Sequence, residues 1–87
     1  MPIDWEEHAL RDLEGLHPTY RKAIARRLEM AEQAPEHFLE RLVDKPYYKL
    51  SVGDYRIFVE WEKPKRLLVL RIYHRKSSYK RYREIGV

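Results

Sequence analysis

The stretch that decides the fold runs over residues 47–74, "YYKLSVGDYRIFVEWEKPKRLLVLRIYH". Three runs rich in β-branched and aromatic residues, at 47–52, 55–62 and 67–74, are parted by "GD" and "KPKR". Runs of this kind between turn residues predict strands, and connections this short predict antiparallel neighbours. Alternation then sorts the side chains onto two faces. Tyr48, Leu50 and Val52 oppose Lys49 and Ser51. Tyr55, Ile57, Val59 and Trp61 oppose Arg56, Phe58 and Glu60. Leu68, Leu70 and Ile72 oppose Leu67, Val69, Arg71 and Tyr73. One face is apolar throughout and is expected to carry helices. The other gathers Lys49, Arg56, Arg71 and Tyr73, with Arg75 in phase at the strand's exit.

The helices lie upstream. Asp4 followed by Glu7 has the spacing of a capping box, and Ala9, Leu10, Leu13 and Leu16 recur at helical intervals. A helix over 5–15 is predicted, closed by Gly15 and the "HP" at 17–18. Pro18 suits the first turn of a second helix, over 19–33, with Tyr20, Ala23, Ile24, Leu28 and Ala31 as its stripe. "AP" at 34–35 ends it. Residues 36–45 read as a short helix or turn with Phe38, Leu39 and Leu42 inward. The chain is expected to finish in a short helix or tail from residue 77 to about 83. The resulting expectation is an α+β domain over 1–87, a helical hairpin on a curved antiparallel sheet.

The composition, 44% hydrophobic and 37% charged over 87 residues, suits a soluble globular chain. No run approaches the ~18 apolar residues of a membrane span, and "MPIDWEEHAL" lacks the basic and apolar regions of a secretory signal. Cysteine is absent, which removes disulfides and thiolate metal sites. Asn is absent and Gln33 is the lone Gln, a bias that leans towards a heat-adapted source. The charge is divided unevenly. Residues 1–46 hold seven bases and ten acids, net −3, whereas 47–87 hold eleven bases and four acids, net +7. From 71 to 83 there is no acid at all. Such a field favours a polyanion, most often nucleic acid; the plainer alternative is a solvated basic face.

His8, His17, His37 and His74 are scattered without metal-ligand spacing and read as surface or capping residues. No phosphate-binding loop is present. Lys, Arg and Tyr together can still cleave RNA. The reaction needs the 2′-hydroxyl deprotonated, the phosphorane charge neutralised and the leaving oxygen protonated. Arg forks match phosphate oxygens, preorganised cations stabilise the developing charge, and Tyr can stack on a splayed base.

Two blocks carry a resemblance. "YYKLSVGDYRIFVEW", followed by "LRIYHRKSSYKRY", resembles the RelE/ParE toxin superfamily, and more narrowly its RelE-type branch. The upstream "WEEHALRDLEGLHPTYRKAIARRLEMA" is similar too, so the likeness covers nearly the whole chain. It implies a toxin of a toxin–antitoxin pair: a cytoplasmic mRNA interferase that enters the ribosomal A site and cuts mRNA through the 2′-hydroxyl, with no metal or cofactor. Implied partners are a RelB-like antitoxin, the ribosome with its mRNA, and operator DNA reached through the antitoxin complex. The family's catalytic positions fall on Lys49, Arg56, Arg75 and Tyr79. Lys49 is implied as base or transition-state cation, and Arg56 on the scissile phosphate. Arg75 is implied as phosphate clamp and acid, and Tyr79 as base or substrate orienter. Arg71, Tyr73, His74, Lys76, Lys80 and Arg81 are the implied substrate contacts. Within the same superfamily stand ParE-like gyrase inhibitors and members that bind antitoxin and DNA without cutting.

Three departures accompany the likeness. Ser51 stands where the best-studied branch has a second lysine, with Arg71 or His74 as its substitute. The spacing from Arg75 to Tyr79 is short. "MPID" leaves room for no more than a stub of the strand that usually precedes the first helix.

Overall fold

The computed structural model describes residues 2–77. Its elements are β1 (Ile3–Trp5), α1 (Glu7–Glu14), α2 (Pro18–Gln33), α3 (Pro35–Phe38), β2 (Glu40–Arg41), β3 (Tyr48–Val52), β4 (Tyr55–Glu62) and β5 (Arg66–His74). The five strands form one sheet in the order β1-β5-β4-β3-β2. The fold is mixed α+β, with the helical hairpin on one face of the sheet. The meander β3–β4–β5 is antiparallel, as expected. Residues 75–77 take up helical backbone at the end of the described chain.

The N-terminal stub is a real strand. Ile3, Asp4 and Trp5 pair with Leu67, Leu68 and Val69 in parallel, so the sheet is not purely antiparallel. Backbone bonds from Leu67 N–H to the Pro2 carbonyl and from Glu6 N–H to the Val69 carbonyl close the pairing. This corrects the capping-box expectation. Asp4 lies within β1, and α1 starts at Glu7 with Glu6 at its cap and no capping side chain. Asp4 instead accepts from Arg66 at 3.1 Å. The same guanidinium donates to Glu62. That hydrogen bond holds the Glu62 carboxyl below the usual carboxylate range. The start of α2 follows the sequence closely, with Pro18 in its first turn and His17 Nδ1 accepting from the Thr19 N–H.

The larger core lies between the helices and the sheet. Ala9 of α1 and Ile24, Leu28 and Ala31 of α2 bury against Leu50, Val52, Ile57, Val59, Leu67, Val69 and Ile72. Fully burying each large aliphatic side chain contributes about 1.5–3 kcal/mol. Ala9 and Ala31 are small enough to bring the helix backbones close to the strands. Tyr20 and Leu10, which the sequence placed in the apolar stripes, remain more than a third exposed.

The faces of β5 are where alternation fails. Phe58 opposes Arg71 but Val59 opposes Val69, so Leu70 is an extra residue in the ladder. One inserted residue sends every side chain before it to the other side. Leu67 and Val69 therefore point at the helices, whereas Leu70 joins Tyr47, Phe58, Tyr73 and Leu42 in a smaller cluster on the far face. The placement of Leu68 and Leu70 on the helix face is thus corrected, and only Ile72 keeps its expected side. Residues 36–45 hold both a short helix, α3, and the two-residue strand β2, which pairs Glu40 with Lys49 and Arg41 with Tyr48.

Leu67→Ala is expected to cost about 2–5 kcal/mol in urea denaturation, and Leu70→Ala clearly less, the reverse of what strict alternation dictates. Because the Glu62 carboxyl is lowered in the folded chain, the stability it contributes is full above the usual carboxylate range. It is lost as pH falls through the lowered value. The gap in thermal midpoint between the parent and Glu62→Gln should accordingly be widest near neutrality and close in acid.

Candidate functional site

The turn between β3 and β4 organises the site. Val52 faces Tyr55 across it, and Gly53 takes a positive φ of 55°, which a side chain disfavours. Two guanidiniums are anchored to this turn. Arg56 Nη1 donates to the Gly53 carbonyl at 2.8 Å and to the Tyr55 carbonyl at 3.0 Å. Arg75 donates its backbone N–H to the Asp54 carbonyl at 2.7 Å, and its Nε lies 3.3 Å from Asp54 Oδ1. Both members of that ion pair are more than half exposed.

The remaining cation sits along the sheet. Lys49 opposes Phe58 and Arg56 opposes Ser51, so Lys49 and Arg56 are diagonal neighbours on one face, with Cβ atoms roughly 7–8 Å apart. Lys49 Nζ lies 3.4 Å from Glu40 Oε2 on β2. Ser51 separates the lysine from the turn. The structure thus brings Lys49, Arg56 and Arg75 to one end of the far face. Chemically this end offers two planar forks and one point charge, a set suited to a phosphodiester.

Tyr73 is opposite Arg56, but its ring is buried, 5.8 Å from that of Phe58. Arg71 stacks on Tyr73 at 4.9 Å and gives its guanidinium to Asp12 of α1, through Nε at 2.8 Å and Nη2 at 3.2 Å. Asp12 Oδ2 also accepts from the Ile72 backbone N–H. The carboxylate acts there as a strand would, since β1 has already ended at Trp5. His74 packs edge-on against Tyr55 at 5.6 Å, on the helix-bearing side and away from Lys49. Its Nδ1 accepts from the Lys76 N–H. Tyr79, Lys80 and Arg81 lie outside the described residues. Glu40 escaped the sequence reading, because a two-residue strand carries no periodicity.

Among the described residues no group of three or more His, Asp or Glu side chains is placed to hold a metal ion. No helix among them is long and apolar enough to cross a membrane.

The family model for the "ParE toxin of type II toxin-antitoxin system, parDE" matches residues 3–79. The chain belongs to this toxin family, within the RelE/ParE superfamily. It is accordingly a toxin of a type II toxin–antitoxin system. Solved structures agree on the fold. The RelBE2 toxin–antitoxin complex of Mycobacterium tuberculosis is similar over 85% of this chain and 96% of that one, at TM-score 0.77 and 20% identity. A free E. coli toxin RelE carrying two substitutions is similar over 95% and 90%, at 0.75 and 22%. The RelB-RelE complex of Methanococcus jannaschii is similar over 91% and 98%, at 0.72 and 24%. Comparison with curated proteins returns no match.

In this toxin Asp12 joins α1 to the bulged part of β5. Asp12→Ala is expected to lose about 1–3 kcal/mol in urea denaturation and to speed hydrogen exchange at the Ile72 amide. Asp12→Asn, which keeps an acceptor for that amide, should lose less.

Proposed function

We propose that this toxin is a cytoplasmic, ribosome-dependent mRNA endonuclease, with residues 1–87 acting as one toxin domain. It cuts mRNA in the A site through the 2′-hydroxyl and needs no metal. The observation that carries the reading is the pair of guanidiniums, Arg56 and Arg75, anchored to one turn beside Lys49. Arg56 and Arg75 grip the scissile phosphate. Lys49 faces the charge that develops on the phosphorane, and a preorganised cation there contributes several kcal/mol to the transition state. Tyr79 orients the substrate. The ribosome holds the mRNA in a cleavable shape. A RelB-like antitoxin neutralises the basic half, as charge complementarity favours, and the pair contacts operator DNA.

A second reading is favoured by the family description, which names parDE. On that reading the toxin binds DNA gyrase and the basic face is a protein-docking surface.

One experiment separates them. Purified toxin is added to translating ribosomes and the mRNA 5′ ends are mapped, with free mRNA as control and a gyrase supercoiling assay in parallel. The expected outcome is cuts at A-site codons that need the ribosome. Arg56→Ala and Arg75→Ala should each slow cutting by about 10²–10³-fold at an unchanged thermal midpoint. Intact mRNA with inhibited supercoiling would transfer the assignment to gyrase. Intact mRNA and unaffected gyrase would leave a member that only binds its antitoxin.

A further inference from the structure

The cationic face lacks a proton acceptor. Arg56 and Arg75 are guanidiniums and accept no proton. Lys49, in its ion pair with Glu40, is an ammonium with no lone pair to offer. Ser51, directly opposite Arg56, brings no charge. The group in contact with the lysine does have a free lone pair. We propose that Glu40 is the general base of the cleavage reaction, an inference that rests on the mRNA-cleavage reading above.

Placement supports this over the other carboxylates near the face. Glu40 lies on β2, directly across from Lys49 in the ladder, and its side chain is 70% exposed, open to an incoming ribose. Asp54 sits at the other flank and is engaged by Arg75 through both its main chain and its side chain. Glu60 is opposite Leu68, further along β4 and away from the turn. In-line displacement requires attacking and leaving oxygens on opposite sides of phosphorus. A base on β2 and a phosphate clamp at the β3–β4 turn provide two such flanks.

The step balances simply. The 2′-hydroxyl proton passes to the Glu40 carboxylate while the 2′-oxygen bonds to phosphorus. The bond from phosphorus to the 5′-oxygen breaks, and that oxygen takes a proton from a water on the Arg75 side. The products are a 2′,3′-cyclic phosphate and a 5′-hydroxyl. The ion pair adds a gain specific to the transition state. As Glu40 takes the proton it loses its charge, and Lys49 loses its counter-ion at the moment the phosphorane becomes more negative. The lysine's field is released when it is needed, and such differential stabilisation raises kcat.

The test is single-turnover cleavage on mRNA-programmed ribosomes with Glu40→Gln, Glu40→Ala and Glu40→Asp, alongside Arg75→Ala. Gln and Ala are expected to cut about 100-fold more slowly while binding ribosomes as tightly as the parent or more so, since a negative charge has been removed. Asp should retain part of the rate. Added formate should restore part of the rate to Glu40→Ala and none to Arg75→Ala, with thermal midpoints unchanged. Gln and Ala variants that cut within about threefold of the parent would overturn the assignment. So would a slow Ala variant that formate does not rescue and whose midpoint has dropped, which marks Glu40 as a support for β2. A parent that cuts, with Arg75→Ala dead and Glu40→Gln active, defeats this inference alone. A folded parent that leaves mRNA intact defeats the cleavage reading with it.

Discussion

One extra residue in β5 sets the rest of the structure. With Leu70 bulged out, Leu67 and Val69 turn towards the helices and complete the core with Ile24 and Leu28. Beyond the bulge the register recovers, so Ile72 also faces the helices while Tyr73 lies across from Arg56. Without the bulge, a sequence that buries Leu67 and Val69 would turn Ile72 away from the helices and Tyr73 into the core. The bulge lets one strand serve a helix-covered core and a cationic end with the same nine residues. Its local disruption is secured by Asp12, which accepts from both Arg71 and the Ile72 amide.

The uneven charge along the chain has a structural counterpart. Three ion pairs cross from the acidic first half to the basic second half: Asp4 with Arg66, Asp12 with Arg71 and Glu40 with Lys49. Each ties an early element to the sheet, α1 through Asp12 and the two edge strands through Asp4 and Glu40. The acids that look dispersed in the sequence therefore restrain particular bases of the later half. A basic surface of this kind stays folded because its charges are partly answered from within, and it keeps the excess for a polyanion.

Much of this was legible beforehand. The three long strands, both helices and the union of Lys49 with Arg56 follow from periodicity, because period 2 and period 3.6 act within a single element. What was hidden depends on partners far away in sequence. β1 is three residues long and pairs with a strand more than sixty residues on. β2 is two residues long and offers no pattern at all. The bulge at Leu70 is invisible because "LLVLRI" is apolar in either register. Asp4 shows the same competition: its spacing to Glu7 advertises a cap, but pairing with β5 and Arg66 claims it first.

The four cations of the far face differ in how readily a phosphate can take them. Arg71 is three-quarters buried, doubly bonded to Asp12 and stacked on Tyr73. Drawing it away would strand a carboxylate that is itself mostly buried, and breaking such a pair costs several kcal/mol. Arg75 and Asp54 are both more than half exposed and meet at 3.3 Å through one nitrogen, a contact of about 0–1 kcal/mol. Arg56 is held only by backbone carbonyls, leaving no acid to displace. Lys49 lies between these cases, mostly covered but paired with an exposed glutamate. Anion exchange is therefore easiest at the β3–β4 turn and hardest at Arg71. The ordering gives Arg71 the work of joining helix to sheet, and gives Arg56 and Arg75 the work of meeting the substrate.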